Sequence, residues 1–259
     1  MSTVRYGPRS EDQLRNREVQ ATSVDVWATT LVATYLTDPE VIAAVLPPPI
    51  EPGDEPLVKV TIATVDIPGH PTFGAGSFSV RARHEGTDGY YALFMPMTTE
   101  QSVIGGRETF GEPKKLGTVV LGQNGDRVEG QIARMGVTII EVSGHLAETL
   151  EIPSEETRTD FYFKFLPAPD GKGFDHDPSL VYCHRTEQTR SLQKVNGEVI
   201  LRESRFDPVV DLPVREPRNI VFAERSSVQR AEIHGMVPAE WIRPYAHQRY
   251  DDLSPMGEE

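Results

Sequence analysis

Turn signals recur along this chain at intervals too short for helices to dominate it. Gly86-Thr87-Asp88-Gly89, Asn124-Gly125-Asp126, Pro169-Asp170-Gly171 and Asn196-Gly197 bring together residues that tolerate positive φ or fix a turn. The runs between them, Lys115 to Leu121, Val128 to Val142, Asp160 to Leu166 and Val199 to Glu203, are rich in apolar and β-branched residues. In the second run Val128 and Ile132 alternate with Glu129 and Gln131, the period of a half-buried strand. Strands joined by tight turns pair antiparallel. The expected fold class is therefore α+β, mainly antiparallel β, and a barrel is favoured because closure removes exposed edges. Two helices are expected beside the strands. In the first, Asp38 precedes Pro39, and Val41, Ile42, Val45 and Leu46 form one apolar face before Pro47-Pro48-Pro49 stops it. The second covers Val221 to Arg230.

At 259 residues the chain is within reach of one hydrophobic core. Residues 1–20 are polar and aperiodic and residues 250–259 are acidic, so both are expected as tails around a single domain over 21–249. The Pro47 to Pro56 stretch reads as a stiff connector inside that domain. Met1 to Arg17 has no apolar h-region, and no run reaches the roughly 18 apolar residues of a membrane helix. A cytoplasmic protein without membrane contact is expected. A formal charge of −13 repels phosphate backbones and argues against nucleic acid. It also repels small acids at long range, so an acidic substrate needs a local island of positive charge. Cys183 is the single cysteine, which excludes an intrachain disulfide. Asp175-His176-Asp177 with His184 fits no metal-ligand spacing and reads as a solvated loop, so no metal is expected. Gly74-x-Gly76 and Gly105-Gly106 are too short for a nucleotide fingerprint, and no cofactor is expected.

The chemistry is concentrated in Gly105-Gly106-Arg107-Glu108-Thr109-Phe110-Gly111-Glu112-Pro113-Lys114-Lys115-Leu116-Gly117. Proline stiffens the backbone before two adjacent lysines, and the flanking glycines admit close approach of another chain or a ligand. A solvated basic corner is the ordinary reading of such a pair, since lysine is seldom buried. The other reading is a nucleophile. A lysine ammonium destabilised by burial or by a second cation loses its proton and attacks a carbonyl. The resulting iminium stabilises carbanion character on the neighbouring carbon without pyridoxal phosphate or a metal.

Gly106-Arg107-Glu108, Gly111 and Pro113-Lys114-Lys115-Leu116-Gly117 resemble the active-site motif of the acetoacetate decarboxylases, themselves a standard example of a lysine activated in this way. Tyr35-Leu36-Thr37-Asp38 through Leu46-Pro47 and Pro49-Ile50-Glu51, Glu55-Pro56-Leu57-Val58 and Asp211-Leu212-Pro213-Val214 resemble further stretches of that family, in the same order. The resemblance implies an acetoacetate decarboxylase-like β-barrel with a few flanking helices, Lys114 as the Schiff-base nucleophile, Lys115 as its electrostatic partner, and a homo-oligomer. It also implies an arginine where this chain has Ala28, and acids where it has Thr61 and Ala75. A site that keeps its lysine but loses the groups handling a departing carboxylate changes the fate of the Schiff base. The expected activity is that of a lyase of aldolase-dehydratase type, acting on a small oxo acid through the enamine of pyruvate and an aldehyde. The alternatives are decarboxylation of acetoacetate or a larger β-keto acid, and a non-catalytic small-molecule binding protein. Dehydration calls for a general acid or base. Glu108 and Arg107 are candidates, with a structural ion pair as the competing reading; Glu100, Tyr90, Tyr91 and Tyr245 are the others. Phe94, Met95 and Met97 are candidates for an apolar pocket wall.

Overall fold

The computed structural model describes residues 4–15, 26–69 and 71–251. In chain order the principal elements are β1 (Trp27–Leu36), α1 (Pro39–Val45), β2 (Glu51–Pro52), β3 (Leu57–Asp66), β4 (Phe73–His84), β5 (Thr87–Met97), α2 (Glu100–Phe110), β6 (Lys114–Leu116), β7 (Thr118–Asn124), β8 (Arg127–Arg134), β9 (Val137–Thr149), β10 (Glu156–Lys164), β11 (Ser179–Leu201), β12 (Glu216–Met236) and α3 (Ala239–Ile242). The strand order β10-β5-β4-β3-β1-β12-β11 closes on itself, because β10 pairs with β5 on one side and with β11 on the other. Every pairing in this ring is antiparallel except β10 with β5. β11 is long enough to serve two sheets. Ser179 to Lys194 pairs with β12 in the ring, and Gln193 to Leu201 pairs with β9, which leads on to β8 and β7.

Strand alternation sends successive side chains of the ring into its lumen or out into the core. On β3, Val58, Val60 and Ile62 are fully buried outside the ring, while Lys59, Thr61 and Ala63 line its lumen. On β4, Phe78 and Val80 face out and Ser77 and Ser79 face in. The outward side chains join Leu31 and Tyr35 of β1 and Val128, Ile132, Ile140 and Val142 of the β7-β8-β9 layer in one apolar cluster. Each fully buried aliphatic side chain of this kind contributes roughly 1.5–3 kcal/mol. The layer packs so closely that a Cβ on Gly130 would lie 2.9 Å from Ile62. The main apolar cluster thus lies outside the ring, while the lumen carries charged and polar side chains beside a smaller apolar group that includes Ala92, Met95 and Met97.

The antiparallel framework and the Asp38–Pro39 helix follow the sequence expectations, and three local expectations do not. Asn196-Gly197 is no turn: it lies within β11 opposite His145 and Gly144, and Gly197 is needed because a Cβ there would meet Ser143 O at 2.1 Å. Val221 to Arg230 is strand, inside β12, since β11 pairs along it and β1 pairs with it as far as Ser226. The run from Val128 to Val142 is broken by a tight turn at Met135-Gly136, both at positive φ. Tyr250 and Asp251 also depart from the expected tail. The Tyr250 hydroxyl approaches Phe165 O at 3.4 Å, and Asp251 is ion-paired with Lys115 and Arg134. The rest of that tail, and much of the N-terminal one, lies outside the described residues. Asp175-His176-Asp177 sits in the irregular segment between β10 and β11.

Candidate active site

The motif is folded as a helix, a turn and a short strand. α2 ends at Gly111, whose φ of +77° lets its N–H reach Arg107 O. A side chain there would collide with Lys164 at 2.7 Å. β6 then runs parallel to β5, with Lys114 beside Met95, and the Met95 N–H donates to Pro113 O at 3.0 Å. Alternation along β6 sends the two lysines to opposite faces. Lys114 lines the lumen, its side chain 16% exposed, with Nζ 2.8 Å from Glu112 Oε2. The helix is close enough to this pair that a Cβ on Gly106 would lie 2.3 Å from Glu112 Oε2 and 2.4 Å from Lys114 Cδ. Arg107 donates from one terminal nitrogen to Lys114 O and Arg249 O, both at 3.0 Å, and its guanidinium lies over the Tyr250 ring. It positions the strand that carries Lys114 and does not line the cavity.

Lys115 does not act as the expected neighbouring cation. Its side chain is 5% exposed on the other face of β6, where Nζ lies 3.1 Å from Asp207 and 2.9 Å from Asp251. Arg134 binds the same two carboxylates, at 2.5 Å and 2.7 Å. Two cations against two carboxylates neutralise each other, so Lys115 is a structural group.

The cations facing the lumen are others. A cavity of about 1070 Å³ fills the ring. From Lys114 a chain of ion pairs crosses its wall: Glu112 binds Arg185 at 2.5 Å, Arg185 binds Asp160 at 2.6 Å, and Asp160 and Glu187 both bind Arg158. Arg225 stands 3.8 Å from Glu187, and Lys59 Nζ lies 4.7 Å from the centre of the Tyr90 ring. Among the described residues, six cations line the lumen, Lys59, Lys114, Arg158, Arg185, Arg225 and the more exposed Arg230, against Asp160 and Glu187, with Glu112 buried beside Lys114. This excess is the local positive island that the chain's overall charge demands of an acid-binding site. Burial pushes the Glu112 carboxyl up, but Lys114 and Arg185 outweigh it and hold it below the usual carboxylate range. Asp160 is likewise held low against burial by Arg158 and Arg185. Burial, reinforced by Arg158, lowers Lys59 to about 8. Burial raises Tyr162 well above the usual phenol range, so its hydroxyl stays protonated and serves as a hydrogen-bond donor.

The expected pocket residues divide between the two faces of β5. The register shifts by one residue between Phe78↔Phe94 and Ser79↔Ala92, inserting Leu93 as a bulge. Tyr90 and Ala92 therefore face the lumen before it, and Met95 and Met97 after it. Tyr91 and Phe94 point out into the core instead, with the Tyr91 hydroxyl on Gln248 at 2.8 Å and Phe94 against Phe78. Glu100 and Glu108 are exposed on α2 and Tyr245 lies by the Tyr91 side, so none of the three reaches the lumen. Sequence reasoning does not single out Glu112, Asp160, Tyr162 and Arg185, which the structure places at the site. Their signal is the inward-facing polar ladder Arg158-x-Asp160-x-Tyr162 and Arg185-x-Glu187, legible as alternation but not as a cavity until the strands close.

Among the described residues, the side chains arranged closely enough to share a metal ion are His84, Glu85 and His234, away from the cavity. The Tyr182 hydroxyl lies 2.6 Å from His84 Nδ1 and Glu85 lies 3.0 Å from His234 Nε2, so these donors already engage protein partners.

A family model described as acetoacetate decarboxylase (ADC) matches residues 5–234. An acetoacetate decarboxylase of Paraburkholderia phytofirmans (strain DSM 17436 / LMG 22146 / PsJN) is 32% identical over 146 residues, 54% of this chain; the match spans 58% of that relative's length. Several solved structures share the fold, two of them as follows. One, described as structural studies of acetoacetate decarboxylase, has a TM-score of 0.73 at 22% identity, over 82% of this chain and 90% of that one. The other, the enduracididine biosynthesis enzyme MppR complexed with pyruvate, has a TM-score of 0.68 at 18% identity, over 80% and 89%.

Proposed function

The chain belongs to the acetoacetate decarboxylase family, and from that premise we propose that it is a Schiff-base lyase of aldolase-dehydratase type, with Lys114 as nucleophile. The observation that carries the proposal is the setting of Lys114: an amine on the wall of a large cationic cavity, paired with one buried carboxylate. In this reading the neutral amine adds to the carbonyl of pyruvate and water leaves, giving an iminium. Glu112 lies where it balances the positive charge of that iminium. Loss of a methyl proton gives the enamine, whose carbon attacks an aldehyde. Expulsion of the new hydroxyl as water, followed by hydrolysis of the iminium, returns the lysine. Tyr162, a protonated donor on the cavity wall, suits the hydrogen bonding of that hydroxyl.

Cavity volume supports a substrate larger than acetoacetate, since about 1070 Å³ lies just above the ~300–1,000 Å³ typical of sites for drug-sized ligands. Decarboxylation of a β-keto acid is the second reading, favoured by the name of the Paraburkholderia relative. The proposal includes a homo-oligomer working in the cytoplasm on small molecules, without a nucleic acid or membrane partner. No helix among the described residues is long and apolar enough to cross a membrane.

Borohydride reduction in the presence of pyruvate, read by intact mass and peptide mapping, is expected to leave a covalent adduct on Lys114 and none in Lys114→Ala. No adduct with any oxo acid refutes the Schiff base. Release of carbon dioxide dependent on Lys114 selects the decarboxylase reading. Saturable ligand binding without any turnover, and surviving Lys114→Ala, selects a binding protein.

A further inference from the structure

Two polar atoms on the lumen face of β12 are buried and unused. Neither Arg225 Nε nor Ser227 Oγ finds a hydrogen-bonding partner among the described residues. A buried donor without a partner forfeits the hydrogen bonds it would make to water, so such a pair carries a cost that a ligand relieves. Ala28, directly opposite Arg225 on β1, offers only a methyl group, so that strand leaves the guanidinium uncovered. Glu187 engages Arg225 at only 3.8 Å while binding Arg158 directly, which leaves most of the guanidinium's hydrogen-bonding capacity open. On β3, separated from β12 by β1 alone, Lys59 belongs to the same electrostatic cluster and stands over an aromatic ring, that of Tyr90.

The cluster is set apart from Lys114. Gln229, four residues along β12 from Arg225, donates to Glu112 at 3.3 Å, and Glu112 binds Lys114. At ~3.3 Å per strand residue, backbone separations from Gln229 are roughly 7 Å to Ser227 and roughly 13 Å to Arg225. An extended chain of about six to eight bonds covers roughly 7–10 Å, between those two separations.

We propose that Arg225, Ser227 and Lys59 form a second anion-binding subsite, so that the molecule assembled on Lys114 carries a carboxylate at each end, the distal one supplied by the aldehyde. The inference rests on the Schiff-base reading for its chemistry but not for its binding site. A free hydroxyl and an uncovered guanidinium suit a carboxylate, whose two oxygens accept from Arg225 Nε and Ser227 Oγ together.

The test compares 2-oxosuberate with 2-oxooctanoate, acids of equal chain length that differ only in the terminal carboxylate. Half-saturation of borohydride-trapped adduct on Lys114 is expected at least tenfold lower for the diacid. That ratio should fall to about one in Arg225→Leu and drop markedly in Lys59→Met. Glu187 keeps Arg158 in Arg225→Leu, so the fold survives, and circular dichroism checks it. Equal half-saturation for the two acids, or a preference that survives in a folded Arg225→Leu, overturns the subsite. Absence of any adduct refutes the Schiff base instead. Calorimetry with suberate, which has no ketone, then decides the subsite alone: binding at least tenfold weaker in Arg225→Leu upholds it, and unchanged or undetectable binding overturns it.

Discussion

At the scale of single residues, the site depends on an absent atom. Gly105 and Gly106 are adjacent in the same helix, yet only Gly106 faces Glu112 and Lys114. The contacts a Cβ would make there, 2.3 Å and 2.4 Å, are too short to absorb, so the lysine and its carboxylate must move. Gly106→Ala is expected to slow trapping on Lys114 by about a hundredfold, the usual effect of misplacing a reacting group by ~1 Å. Gly105→Ala meets nothing within 4 Å and replaces an exposed helical glycine, so it should raise stability by up to ~1 kcal/mol. Thermal melts of the two variants beside the trapping assay separate these outcomes. The sequence marks both glycines as tolerant of close approach. Which of them is approached depends on the packing of α2 against β6.

At the scale of elements, three-residue β6 divides a lysine pair between two tasks. Adjacent positions on a strand point to opposite faces, so Lys114 and Lys115 cannot share a pocket without a bulge between them. The sequence expectation of mutual repulsion treats neighbours in the chain as neighbours in space. Lys115 instead holds Asp207 and Asp251 beside Arg134, beyond the outer wall of the site. Lys115→Met should therefore cost roughly 3–5 kcal/mol of folding stability, the range for removing one partner of a buried ionic cluster. Urea denaturation monitored by fluorescence measures it; a cost below about 1 kcal/mol would show that the cluster is not supporting the fold. β5 shows the same limit on sequence reading. Without the bulge at Leu93, parity would place Phe94 in the lumen and Met95 in the core, the reverse of what the register produces.

At the scale of the whole molecule, the ring is held by apolar packing on its outside and by buried charge. The charge makes stability depend on pH. Burial pushes the Asp251 carboxyl up, and hydrogen bonds from Arg134 and Lys115 more than reverse this, leaving it below its ordinary value. A carboxyl whose pKa is lower folded than unfolded stabilises the fold fully above the unfolded value, ~3.9, and loses that contribution as pH falls through the folded value. Glu112, Asp160 and Glu187 are shifted the same way, so acid acts on cavity and scaffold together. Urea midpoints should be flat near neutrality and fall steeply below about pH 4, the region of the unfolded carboxyl values. Asp251→Asn should be less stable at pH 7 with a shallower acid limb; an unchanged limb would exclude Asp251 from the linkage.

What the chain determines locally was legible in it: the turns at Gly86 and Gly125, strand periodicity, the proline-led helix and the segment bearing Lys114, all set by interactions within a few residues. The ring's closure through β10, the outward turn of Lys115 and the lumen's excess of cations were decided only in three dimensions. Lys59, Arg158, Arg185 and Arg225 come from four strands far apart in sequence. Their common field exists because non-local pairing fixes which face of each strand looks inward, and a single inserted residue is enough to reverse that choice.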